Sequence, residues 1–574
     1  MAPVKTTIGL YLLKRIKEVG VDTIFGLPGD FNMKFLDLIE DDPELLWGNN
    51  ANELNAAYAA DGYARIKGVG ALVTTFGVGE LSAMNGIAGA YSEMLPVIHI
   101  VGTPNTSSQA AGAILHHTLG NGDFNVFVNM FASITAASVH LTATQAARQI
   151  DSVISESVRR KRPGYIGIPI DLVNHEIEVE LAPLDCSIPK NPKETQEAAL
   201  KAIITAIKEA KRPIIIADAC VLRNHMKSDL AKFIQVSQFP SYVTPMGKSA
   251  IEPDTKGFRG CYTGSVSLPQ IGREVHSADL ILEFGSVQTD FNTGGFTYKL
   301  DQSKIIAFHS FTTRVFYSTY ERVCMQELLP LLIDQFPQEE SGGGEKRKLI
   351  ESVEQEFGPP AQRAAIPDGE TMIQNFFWNI LPQFLPEKSV IVTETGTSTF
   401  GSFNMHGNKD SIFISQILYG SIGYSVPACL GAALADRSRR VYLIVGDGSF
   451  QLTAQEVAVM LHHGITPVII IFNNDGYLIE KLIHGPNRSY NNFQMWDYAK
   501  SFDYFGANIP SNETKATVPY KIGVQKQVKS RKEFLAAMEL TLKQPDRIHL
   551  VEVIFPQFDA PVEVELQARA NENH

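Results

Sequence analysis

The chain has 574 residues, too many for one hydrophobic core, and this length predicts about three to four domains. With 50 basic residues against 62 acidic ones the formal net charge is −12, so no excess of Lys and Arg is available to displace counterions, and a nucleic acid is excluded as main partner. The apolar share, 44%, is ordinary for a globular protein, and no apolar run is long enough to span a bilayer, so no membrane partner is expected.

The first twenty residues, MAPVKTTIGLYLLKRIKEVG, lack the apolar run and cleavage site of a secretory signal and read as an amphipathic helix. Strand-like segments follow at 71–76, 97–102 and 164–170, alternating with amphipathic or small-residue helices such as 53–68. This alternation predicts a first α/β domain over 1–185. The Pro-containing stretch 186–196 reads as a linker. A second set, 212–219, 278–285 and 304–310, predicts a middle domain over 197–340. The charged, Gly-rich stretch 337–348 and the Pro-rich stretch 358–369 read as a long connection. Strands at 389–394, 439–447, 467–474 and 548–555 complete a third domain over 370–574. The expected fold class is therefore α/β, with three open, mainly parallel sheets. The five cysteines, at 186, 220, 261, 324 and 429, form no CxxC pair, which points to reduced thiols and a cytoplasmic location.

The third domain carries the most specific chemistry. The strand VYLIVGDGSF ends at Gly446-Asp447-Gly448, a helix is expected over 453–464, and PVIIIFNN is the next strand. Neighbouring strands of one βαβ unit would bring Asp447 and Asn474 to the same crevice, where open α/β sheets bind ligands. A carboxylate and an amide oxygen are hard ligands suited to Mg²⁺, with the Gly476 carbonyl as a third oxygen. Gly448 and Ser449 open a helix whose free N–H groups favour an anion. Either glycine motif alone is better read as a turn; both, at the ends of consecutive strands, are harder to dismiss. A dinucleotide site is the rival, but GDGSFQ and GVGELS both miss the third glycine of its fingerprint.

GDG followed by NN at this spacing, together with GLPGDFN (26–32), NANELNAAYAADGYARIKG (50–68), HHTLGNGDF (116–124), TDFNTGGF (289–296), ETGTSTFG (394–401), GSIGY (420–424) and GYLIEKLIHGP (476–486), resembles the thiamine diphosphate-dependent 2-keto acid decarboxylases, most nearly the fungal pyruvate decarboxylases. The resemblance covers nearly the whole chain in order. It implies thiamine diphosphate and Mg²⁺ as cofactors, a small 2-keto acid as substrate, and non-oxidative decarboxylation of pyruvate to acetaldehyde and CO₂; an indolepyruvate or phenylpyruvate decarboxylase is the alternative.

The same resemblance implies roles. Asp447, Asn474 and the Gly476 carbonyl are the metal ligands; Gly448, Ser449 and Thr397 lie near the diphosphate. Ile422 is the wedge that bends the coenzyme, with Ile479 beside it, and the Gly420 carbonyl accepts from the 4′-amino group. Glu53 serves the pyrimidine N1′ of the coenzyme held by another subunit, so a homodimer with sites at the interface is implied, often paired into a homotetramer. Asp30, His116, His117 and Glu480 handle protons. Phe291, Thr395, Thr399, Ile479 and Ile483 line the substrate pocket, where the branched Ile479 and Ile483 favour pyruvate over larger acids. Without the resemblance each has a plainer reading: a helix cap for Asp30, a loop pair for His116 and His117 that lacks the i, i+4 spacing of metal ligands, a solvated charge for Glu53, a helix start for Glu480, core for the isoleucines. His462-His463, another adjacent pair, reads as a helix end before Gly464. Cys220 matches a regulatory cysteine of the fungal relatives, but Met94 stands where they carry its partner histidine, which puts that route in doubt.

Overall fold

The computed structural model describes residues 3–336, 348–510, 513–514 and 516–571. Three sheets organise the chain. The first has six strands in the order β3-β2-β4-β5-β7-β6, all pairs parallel: β2 (Thr23–Gly26), β3 (Leu46–Trp47), β4 (Gly70–Thr75), β5 (Val97–Thr103), β6 (Ala137–His140) and β7 (Gly164–Pro169). β1 (Val4–Thr7) pairs antiparallel with β8 (Glu176–Val179). The expected N-terminal helix is thus corrected: the β-branched residues Val4, Thr6 and Thr7 join a ladder, and the helix begins only at Ile8, capped by the Thr7 hydroxyl accepting from the Leu10 N–H at 3.3 Å.

The middle sheet has seven strands in the order β11-β10-β9-β12-β13-β14-β15: β9 (Pro213–Ala217), β10 (Ser241–Val243), β11 (Phe258–Cys261), β12 (Leu280–Phe284), β13 (Ile305–Phe308), and an antiparallel edge of β14 (Thr312–Val315) and β15 (Ser318–Glu321). The helix Lys193–Glu209 starts inside the stretch expected to be linker, with Pro192 at its N-cap. The expected connection 337–348 lies outside the described residues except at its last position. A helix that sequence patterning passed over, Leu349–Phe357, then ends at Gly358, whose φ of 88° continues no helix.

The third sheet is all parallel, in the order β17-β16-β18-β19-β21-β20: β16 (Val390–Thr393), β17 (Ile412–Ile414), β18 (Val441–Gly446), β19 (Val468–Asn473), β20 (Ile522–Val528) and β21 (Ile548–Ile554). The single helix expected over 453–464 is two helices, Asp447–Thr453 and Glu456–His462. The Thr453 hydroxyl donates to the Gly423 carbonyl at 2.7 Å, and the Val457 and Ala458 N–H groups bond three residues back, so the axis is re-aimed between them.

One apolar cluster runs from the first sheet into the third. Its seam is the helix Glu53–Lys67 packed on the helix Ser425–Ala435, which are both rich in small residues. The approach is so close that a Cβ on Gly431 would stand 1.8 Å from the Ala59 carbonyl oxygen.

Candidate active site

Register explains the polar cluster at the end of β19. Gly446 of β18 pairs with Phe472 of β19, so the next residues of both strands leave the sheet side by side. Asp447 Oδ2 accepts from the N–H groups of Asn474 and Gly476, both at 3.2 Å, and its Oδ1 accepts from the Gly448 N–H at 2.8 Å. Burial pushes the Asp447 carboxyl up to about 6, against the opposing pull of those N–H donors. Asn474 is 5% exposed, and among the described residues its side chain has no protein hydrogen-bond partner. Its amide is not sealed among protein atoms but opens on the cavity. Gly476 has φ 121°, and a Cβ there would meet the Asn491 carbonyl oxygen at 2.7 Å.

These residues face a cavity of about 320 Å³. Thr395, Thr397, Gly448 and Ser449 line it beside Asp447, together with Ile422, Ile479 and Glu480. The hydroxyls of Thr397 and Ser449 likewise have no protein partner among the described residues. The donor set of carboxylate, amide oxygen and unpartnered hydroxyls therefore fits a hard cation with an attached oxyanion. Gly420, with φ 64°, is outside the lining but close behind Thr395, whose Cγ2 would be 3.5 Å from a Cβ there. Three residues expected to line the substrate pocket do not line this cavity. Phe291 packs edge-on to Phe400, with ring centroids 5.3 Å apart. The buried Thr399 hydroxyl donates to the Glu394 carbonyl at 2.7 Å. Ile483 is 51% exposed, one turn beyond Ile479.

The first domain gathers a second group. Glu53 is the first residue of its helix, which Asn52 caps by accepting from the Asn55 N–H at 2.8 Å. Its Oε1 would be 3.1 Å from a Cβ on Gly79, so the glycine makes room for the carboxylate. The His117 carbonyl oxygen packs at 1.9 Å from a Cβ position on Gly77, in the same turn. His116 Nε2 is 2.6 Å from Asp30 Oδ2, and His117 Nε2 is 4.0 Å from Asp30 Oδ1. Asp30 caps no helix; Asn32 occupies that position before Met33 and closes the turn by accepting from the Gly29 N–H at 2.9 Å. None of these four residues lines the cavity, whose walls run from Thr395 to Glu480. One chain thus presents two half-sites.

Some residues that position the site escaped sequence reading. Glu456 is fully buried and accepts from the side-chain amides of Asn50 and Asn55 and the Ala51 N–H, tying the start of the Glu53 helix to the third domain. Glu394 accepts from the Thr395 N–H at 3.0 Å and the Ser425 hydroxyl at 2.6 Å, and burial pushes it up to about 7. His463 stands at the helix end, as expected, but its buried ring also reaches the Gly48 carbonyl at 2.7 Å, and burial pushes its pKa down to about 4. Cys220 Sγ is 3.7 Å from Met94 Sδ.

The family model for the thiamine pyrophosphate enzyme N-terminal TPP binding domain matches residues 6–125, that for the central domain residues 200–321, and that for the C-terminal TPP binding domain residues 394–552. Among curated proteins, pyruvate decarboxylase isozyme 2 of Saccharomyces cerevisiae is 41% identical over 98% of either chain. The pyruvate decarboxylase of Candida glabrata is 42% identical over 98% of either chain, and that of Aspergillus terreus 42% identical over 98% of this chain and 96% of its own. The chain belongs to the pyruvate decarboxylase family. Within that family of thiamine pyrophosphate enzymes, the two half-sites fall in the two TPP-binding domains: Asp30, Glu53, His116 and His117 in the N-terminal one, Asp447, Asn474 and Gly476 in the C-terminal one. Among the described residues no helix is long and apolar enough to cross a membrane.

Proposed function

We propose that this chain decarboxylates pyruvate to acetaldehyde and CO₂ using thiamine diphosphate and Mg²⁺, as a homodimer paired into a homotetramer. The observation that carries the reading is the convergence of Asp447 with the unpartnered side chain of Asn474 on one cavity, in a chain of this family. Asp447, Asn474 and the Gly476 carbonyl would hold the metal; Gly448, Ser449 and Thr397 would hold the diphosphate, and Ile422, Ile479 and Gly420 the rings. When bound, the coenzyme supplies a carbon nucleophile and the electron sink for the pair that CO₂ leaves behind.

The chain's own residues do the rest. Glu53 holds a proton at the pyrimidine N1′, which keeps the amino group opposite it able to act as base. Asp30, His116, His117 and Glu480 carry protons to and from the substrate's oxygen and carbon. The half-sites of one chain do not share a cavity, which supports a site completed by the partner's N-terminal domain. Thr395 and Ile479, at the cavity wall, limit the substrate to a small 2-keto acid; Phe291, Thr399 and Ile483 act from behind it. We divide the chain into domains at 1–185, 197–340 and 370–574, each of which contains one matched segment. All five cysteines are unpaired, which supports a cytoplasmic location.

The test is acetaldehyde formation from pyruvate, coupled to alcohol dehydrogenase, with and without thiamine diphosphate and Mg²⁺. Turnover that needs both is expected. A preference for phenylpyruvate over pyruvate would move the assignment to the aryl-pyruvate decarboxylases, and coenzyme-independent turnover would sink it.

A further inference from the structure

We propose that Asp30, His116 and His117 form a binding site for a divalent transition-metal ion of the Zn²⁺ or Ni²⁺ class, separate from the oxygen donors at Asp447. Each residue offers one ligand atom, and the three atoms lie within 4.8 Å of one another. The two measured pairs are 2.6 Å (His116 Nε2 to Asp30 Oδ2) and 4.0 Å (His117 Nε2 to Asp30 Oδ1). A tetrahedral ion with ligand bonds of about 2.0–2.2 Å needs donors about 3.4 Å apart. The observed separations bracket that value.

Adjacent residues in extended chain point their side chains to opposite sides. Here they do not, because His117 has φ 62°, and this left-handed residue brings the two imidazole centroids to 4.7 Å. The rings are also held in orientation. His116 stacks on Phe31 with centroids 5.0 Å apart and planes 13° apart, and His117 meets the same Phe31 edge-on at 6.2 Å. The His117 backbone is fixed in turn by packing of its carbonyl against Gly77. A preorganised pair of imidazoles with a carboxylate is what a borderline-soft ion requires, and three protein ligands leave a coordination position open.

The chemistry separates this site from the one at Asp447. Imidazole suits Zn²⁺, Ni²⁺ and Cu²⁺, whereas carboxylate, amide and carbonyl oxygens suit Mg²⁺. An ion at the trio takes the place of the hydrogen bond between His116 Nε2 and Asp30 Oδ2. One consequence rests on the function proposed above: an ion here would tie up proton-carrying groups and inhibit turnover while Mg²⁺ and coenzyme stay bound.

The experiment uses tag-free holoenzyme loaded with thiamine diphosphate and kept in excess Mg²⁺. Zn²⁺ or Ni²⁺ is titrated calorimetrically, and Co²⁺ is added in parallel to read histidine coordination from its visible absorption. One ion per chain is expected, bound at least about tenfold more weakly by His116→Ala and by Asp30→Asn. Both side chains are about half exposed, at 59% and 47%, so these variants fold, and an unchanged unfolding midpoint verifies it. Binding that is equally tight in both variants, or the absence of any ion held against excess Mg²⁺, overturns the site. Binding that the variants abolish, but that leaves turnover of the wild-type enzyme unchanged, upholds the metal site and instead overturns the proton-carrying role of the trio.

Discussion

At the scale of single residues, the environment of Asp447 sets a pH dependence. Its carboxyl sits at about 6, above the ordinary value near 4, because burial disfavours the charge more than the surrounding backbone N–H donors favour it. A cation must displace that proton below pH 6 but not above it. The apparent Mg²⁺ dissociation constant should therefore be flat above about pH 6 and rise about tenfold per pH unit below it, measured by isothermal titration in the presence of coenzyme. An affinity that stays constant down to pH 4.5 would remove Asp447 from the ligand set. Glu53 provides the complementary case. It is partly buried beside Gly79, at the start of a helix that Asn52 caps, so Glu53→Gln keeps shape and cap while removing the titratable proton. Turnover should fall about 10²- to 10⁴-fold with Mg²⁺-dependent coenzyme binding retained; full activity would mean that the proton path is misassigned.

At the scale of elements, the helix Thr397–Ser402 links the cavity to the middle domain. Its first residue lines the cavity, and just beyond its other end the carbonyls of Phe403 and Met405 both accept from Nζ of Lys248, a buried lysine whose ammonium lies 4.2 Å from the Phe413 ring centroid. Replacing it by an apolar side chain leaves two carbonyls without that donor. Lys248→Met should cost about 1–3 kcal/mol in urea unfolding and loosen coenzyme retention, because Thr397 loses its anchor; unchanged coenzyme affinity would confine Lys248 to a purely structural part. Strands of this kind were readable beforehand: β4, β5, β7, β9, β12, β18, β19 and β21 all lie within or one residue beyond the apolar runs that announced them. What sequence could not give was the seam between domains. The contacts Gly431 to Ala59 and Gly62 to Ala428 involve residues with no chemical signature, and Glu456 looks like any surface carboxylate until Asn50 and Asn55 are folded against it. Likewise Thr399 carries a hydroxyl that could face a ligand, and only the fold reveals that the Glu394 carbonyl has claimed it.

At the scale of the whole molecule, the decisive feature is that the two TPP-binding domains of one chain pack together through the Glu53 and Ser425 helices, yet the cavity of the third domain takes no wall from the first. If the missing wall comes from the partner, damage to the two halves can be complemented between chains. Co-expression of Glu53→Gln and Asp447→Ala chains, each inactive alone, gives hybrid dimers. In a hybrid with sites shared across the interface, one site combines both lesions and the other combines the intact Glu53 of one chain with the intact Asp447 of its partner. With random pairing half of the dimers are hybrids with half their sites intact, so about a quarter of wild-type activity should return. If each chain instead built its site from its own two halves, every site would keep one lesion and none would return. Dilution should act in the same way: dissociation should abolish turnover in step with the loss of dimer seen by sedimentation velocity, because each separated chain keeps the cavity at Asp447 but loses the carboxylate that Glu53 of the other would bring to it.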